Sequence, residues 1–142
     1  MRTLYVDAGW TSIGYCVYES GVRHDYGELH YSQKDKVERL RSISLDLRKI
    51  IKAEAVDKVV CEDFKIYGKF GTRAQNVMLM IGMFVEICNA FDIGIELVNF
   101  SHWKAMWKKI EDKPGLLGIK EHAADAIAMG FTLERPQLED EF

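Results

Sequence analysis

Strand-like segments follow one another directly over residues 1–30 and then alternate with helix-like ones, an order that few architectures satisfy. Leu4–Asp7 and Ile13–Glu19 are rich in β-branched and aromatic residues. The Gly-containing connection Ala8-Gly9-Trp10-Thr11-Ser12 is tight enough to fold one strand back on the other. Val22–Leu29 follows the turn at Ser20-Gly21 as a third strand, completing an antiparallel meander. Lys34–Glu54 then places Val37, Leu40, Ile43, Leu47, Ile50 and Ile51 on one helical stripe, with Ser32 and Asp35 as the N-terminal capping signal. Lys58–Glu62 is a short apolar strand, Arg73–Asp92 a second helix and Ile93–Val98 another strand. Ser101 opens a short basic helix through Lys109, and Ile119–Leu133 is a last helix built on Ala123, Ala124, Ala126, Ala128 and Gly130. The predicted fold is α/β: a mixed five-stranded sheet, three antiparallel strands and then parallel ones, with helices on both faces. Residues 1–135 read as one domain and 136–142 as an acidic, disordered tail.

At 142 residues the chain is long enough to close a core without staples. Its apolar runs fall short of the roughly 20 residues that span a bilayer, and the opening Met-Arg-Thr-Leu-Tyr-Val-Asp has no signal-peptide pattern, so the expectation is a cytoplasmic protein with no membrane partner. Cys16, Cys61 and Cys88 are odd in number and sit in apolar stretches without a CxxC pair, which reads as buried hydrophobes rather than a zinc site. The net charge of −3 hides an uneven distribution. Glu134, Glu139, Asp140 and Glu141 crowd the C-terminus, whereas Phe64–Arg73 carries Lys65, Lys69 and Arg73 and no acid. Screening confines charge effects to about 8–10 Å, so a phosphate backbone responds to the local basic surface.

Four residues stand out for chemistry. Asp7 ends the first strand and Glu62 the fourth, where a core strand would sooner carry Val or Ile. His122 and Asp125, three apart on the last helix, share one of its faces. Strand C-termini are where open α/β sheets place their sites. Grouped carboxylates repel one another unless a cation neutralises them, and a pair of hard divalent ions about 4 Å apart can activate water against a phosphodiester. Singly, each residue has a plainer reading as a turn, a solvated strand end or a helix surface residue, and Asp63 is an alternative to Glu62.

Val6-Asp7-Ala8-Gly9 with Thr11-Ser12-Ile13-Gly14-Tyr15 resembles the first-strand motif of the RuvC-type Holliday-junction resolvases. Val59-Val60-Cys61-Glu62 resembles that family's fourth strand, and His122-Ala123-Ala124-Asp125-Ala126-Ile127-Ala128 its closing helix, where many members carry Asp in place of His122 and some carry His. The resemblance implies an RNase H-like nuclease domain that resolves four-way junctions in recombination and repair. It implies a homodimer making paired symmetric nicks, and two Mg²⁺ ions per site, with Mn²⁺ as substitute. Asp7 would bridge the ions, Glu62 and Asp125 would complete the ligand set, and His122 would bind one metal or position the water. Lys104 is the best match for a basic catalytic residue. A stand-alone resolvase of this size fits a bacterium or a phage equally.

Phe64–Arg73 interleaves cations, aromatics and glycines: Lys65, Lys69 and Arg73 for phosphates, Tyr67 and Phe70 for unstacked bases. Lys104 and Lys108 offer a second DNA-binding patch beside Trp103 and Trp107. The helix over Val77–Cys88, apolar almost throughout, suits either a dimer interface or complete enclosure. Rival readings are an RNase H-like nuclease acting on flaps, branched DNA or RNA–DNA hybrid, a non-catalytic junction-binding protein, and a sugar-kinase-like nucleotide binder. The last needs a second domain and a second phosphate loop that the chain lacks.

Overall fold

Register across the first hairpin decides where the carboxylates lie. In a computed structural model that describes residues 1–63, 71–98 and 121–140, β1 (Arg2–Ala8) and β2 (Ser12–Glu19) pair antiparallel from Arg2 opposite Glu19 to Ala8 opposite Ile13. A two-residue turn with positive φ at both Ser20 (49°) and Gly21 (81°) leads into β3 (Val22–His30), a turn whose twist suits a hairpin. β4 (Lys58–Glu62) runs parallel to β1 and β5 (Gly94–Val98) parallel to β4, giving the sheet order β3-β2-β1-β4-β5. The mixed sheet has the composition expected from the sequence.

One face is covered by α1 (Lys36–Ala53) and α2 (Thr72–Ala90). Leu4, Val6, Val17, Val59 and Cys61 meet Ile43, Leu47, Met80, Phe84 and Ile87 there. The other is covered by α3 (Glu121–Asp140), packed on Tyr5, Cys16, Tyr18 and Val60 through Ala126, Ile127, Ala128 and Met129. The small residues of α3 have a steric reason: a Cβ at Gly130 would stand 2.3 Å from the Tyr18 ring. Tyr5 donates to Glu134 Oε1 (2.8 Å) and Tyr18 to the Ile127 carbonyl (3.1 Å), so this face is held by buried hydrogen bonds as well as by packing.

Several local expectations need correction. Asp35, not Ser32, caps α1, its carboxylate accepting from the Glu38 amide (2.9 Å). Val37 is exposed, and its place against the core is taken by Arg39, buried and tied to the carbonyls of Gln33 and Trp10. α2 is not fully enclosed among the described residues, where Met78, Leu79 and Val85 are 46%, 50% and 41% exposed. α3 runs beyond Leu133 to Asp140. Glu134 anchors that extension, receiving Tyr5 and the Gly21 amide. The short basic helix from Ser101 to Lys109 lies outside the described residues. No helix among the described residues is long and apolar enough to cross a membrane.

Candidate active site

Tyr5 faces α3, and side chains alternate along a strand, so Asp7 emerges on the same face at the strand's end. Val60 likewise faces α3 and sets Glu62 on that side. Glu62 follows Cys61, the partner of Val6, as Asp7 follows Val6, so the two carboxylates end adjacent parallel strands. Asp7 is paired in turn with Gly14 on β2, and Gly14 with Glu28 on β3. The face therefore carries an acidic row, Glu62, Asp7 and Glu28, with a bare glycine between the last two.

The start of α3 rests on that glycine. A Cβ at Gly14 would lie 1.9 Å from the His122 carbonyl oxygen, so no other residue type admits the helix this closely. The approach brings His122 Nδ1 within 2.8 Å of Asp7 Oδ2. A carboxylate only accepts, so Nδ1 carries the hydrogen, and in a neutral imidazole the lone pair then sits on Nε2. The Asp7 side chain is 14% exposed and that of His122 37%, so the site opens to solvent on the imidazole side. Asp125 follows one turn further along α3, half-buried.

Negative charge is concentrated here. The Cys61 thiol, beneath the row, is held well above its ordinary range first by burial and then by the charges of Asp7, Glu62 and Asp63. Carboxylates plus an imidazole are a donor set that suits a hard divalent cation. Among the described residues, however, no three His, Cys, Asp or Glu side chains are grouped closely enough to hold an ion as they stand.

No family model matches the chain, and no curated protein matches it by sequence. Solved structures do. Thermus thermophilus RuvC in complex with Holliday-junction substrate superposes with a TM-score of 0.76 over 99% of this chain and 96% of its own, at 18% identity. This is the RuvC-type resolvase fold. The yeast mitochondrial Holliday-junction resolvase Ydc2 shares it at a TM-score of 0.65 and 12% identity, covering 97% of this chain and 82% of its own. The fowlpox virus resolvase, solved with Holliday-junction DNA, shares it at 0.57 and 16% identity, covering 100% and 99%.

Within this RuvC-like fold the His122 imidazole meets Asp7, Glu62 ends the neighbouring parallel strand, and Asp125 lies on the same helix as His122. Arg73 stands exposed in the first turn of α2 and, with Ala8, Gly9, Trp10 and Val77, lines a cleft of about 400 Å³ beside the end of β1. Lys65, Tyr67, Lys69, Phe70, Lys104 and Lys108 lie outside the described residues. Glu28 went unmarked in the sequence. It sits in a strand of mixed polarity, and its place in the acidic row depends on the register of three strands.

Proposed function

We propose that the chain is a metal-dependent endodeoxyribonuclease that resolves four-way DNA junctions by paired symmetric nicks. The contact of His122 with Asp7 carries this reading, because it joins two of the resembled motifs on a fold shared with RuvC. Junction DNA as substrate is supported by the complexes in which RuvC and the fowlpox resolvase were solved.

Asp7, Glu62 and Asp125 would hold two Mg²⁺ ions, with His122 Nε2 as a further ligand or as the group that orients the attacking water. Bound ions would supply Lewis-acid activation of that water and charge stabilisation of the leaving oxygen. Without a cation the same carboxylates repel the phosphate. Arg73 would neutralise a neighbouring phosphate, and the segment carrying Lys65, Tyr67, Lys69 and Phe70, which joins Glu62 to Arg73 in the chain, would engage the junction. Lys104 is proposed as a basic catalytic residue and Lys108 as a phosphate contact. Two nicks need two sites, and the exposed Met78, Leu79 and Val85 of α2 offer an apolar strip for a second copy.

The deciding assay sets an immobile four-way junction against a flap and a plain duplex, with Mg²⁺, Mn²⁺ or EDTA. Paired junction nicks that require metal are expected, and Asp7→Asn should lower their rate by at least about 100-fold, as removal of one electrostatic group from an active site does. Equal cutting of the flap would reduce the reading to a general branched-DNA nuclease. The alternative of a binding module would be identified by tight junction binding with no cutting under either metal.

A further inference from the structure

His122 reaches Asp7 only because the first turn of α3 is held at one height and angle over β2, and that turn is gripped from both sides. On the β1 side the grip is the His122–Asp7 contact at 2.8 Å. On the β3 side the Ala123 amide donates to Glu28 Oε2 at 3.3 Å. Gly14 lies between them, paired with Asp7 in one direction and with Glu28 in the other, and a Cβ there would strike the His122 carbonyl at 1.9 Å and the Ala123 nitrogen at 2.6 Å. Two carboxylates two strands apart thus clamp one helical turn onto a glycine.

Glu28 is suited to the task. The first amides of a helix have no partner within it and need an acceptor from elsewhere. Glu28 supplies that acceptor from a neighbouring strand. Its side chain is only 8% exposed, with Oε1 lying 3.5 Å from His30 Nε2. His30 Nδ1 in turn pairs with Ser12 Oγ at 3.0 Å, so a β2–β3 relay steadies the carboxylate.

We propose that Glu28 is a positioning residue for the reaction: by holding the Ala123 amide it sets His122 against Asp7. The carboxylate acts through its reach to that amide, not through its charge. The inference rests on the resolvase reading for its effect on rate, but its structural half is independent of any activity.

The test uses Glu28→Gln, which keeps an acceptor oxygen at full reach, beside Glu28→Asp, which keeps the charge and withdraws it by one methylene, and Glu28→Ala. Nicking rate at saturating junction, junction affinity in EDTA, and the His122 side-chain NMR signals of the metal-free protein are measured for each. Glu28→Ala and Glu28→Asp should slow nicking roughly 10–100-fold, the loss typical when a partner that orients a functional side chain is removed. They should leave affinity unchanged and shift the His122 signals, while Glu28→Gln stays near wild type in all three. Glu28→Asp near wild type with Glu28→Gln impaired would overturn the proposal in favour of a charge effect. Unmoved His122 signals in Glu28→Asp would overturn it too, and that readout stands even if the wild-type protein cuts nothing. Should Glu28→Ala fail to fold, the Gln–Asp pair decides alone.

Discussion

On the face covered by α1 and α2 the sheet meets large side chains, with Phe84, Met80, Ile43 and Leu4 fully buried among them. On the face covered by α3 it meets a helix in which Ala123, Ala126, Ala128 and Gly130 outnumber the larger Ile127 and Met129, and the sheet contributes Tyr5 and Tyr18, stacked edge to face with ring centroids 5.7 Å apart. The first face gains stability from volume removed from water and tolerates some repacking. The second gains closeness: backbone approaches backbone at Gly14, and a short polar contact follows at Asp7. A helix that must deliver an imidazole to a strand end cannot stand off on bulky side chains. The difference places most of the stability on one side of the sheet and the chemistry on the other.

Three perturbations test that division. Phe84→Ala should have the largest effect on stability, about 3–5 kcal/mol in denaturant unfolding, because a large cavity opens in the α1–α2 core. The nicking rate per folded molecule should stay as in wild type. If it falls as well, the faces are more tightly coupled than their separate clusters imply. Gly14→Ala should cost roughly 1–3 kcal/mol through overpacking and lower nicking far more than that loss of stability accounts for, since the methyl lifts His122 from Asp7. Its control is Gly82→Ala on α2, where an added Cβ meets nothing within 4 Å and about 1 kcal/mol of stabilisation is expected from helix propensity. A harmless Gly14→Ala would mean that α3 does not ride so low on the sheet.

The smallest effect is in alkali. Burial pushes the Cys16 thiol from an ordinary 9.0 up to about 12 and the Cys88 thiol up to about 11. It also raises the Tyr5 hydroxyl, which donates to Glu134. A raised folded-state value means that the native protein holds these protons more tightly than the unfolded chain. The stability that these groups contribute is therefore fully present below about pH 9 and is lost as pH rises toward 12. Thermal melts between pH 8 and 11 check the sign, and a rise in melting temperature over that range would contradict the buried, neutral assignment.

Much of the site was legible before the fold. Asp7 and Glu62 betray themselves by ending apolar strands with charge, and His122 and Asp125 by sharing a helix face within a run of alanines. Those are local signals, and both pairs occupy the elements that the patterns assign to them. Arg39 shows where local pattern fails. Helical periodicity nominated Val37 for the core, yet the buried place went to an arginine whose guanidinium satisfies the Gln33 and Trp10 carbonyls and stands 4.7 Å over the Trp10 ring. Propensity cannot foresee a charge that is buried because two carbonyls outside its helix accept from it. The continuation of α3 past Leu133 was hidden for a related reason: Glu134 reads as solvated acid until Tyr5 and the Gly21 amide, 129 and 113 residues away in the chain, are brought to it.

By itself the amino-acid order determined the number and kind of the strands, their pairing sense, the strand-end carboxylates and the helix face carrying His122 and Asp125. These follow from periodicities of two and 3.6 residues that act over a few positions at a time. Tertiary structure alone decided that Gly14 is the seat of α3, that His122 turns its Nδ1 to Asp7, and that Glu28 belongs to the same row. Those facts depend on strand register and on the height of one helix above the sheet, and that height is set by contacts between residues far apart in the chain, such as Asp7 and His122, 115 positions apart.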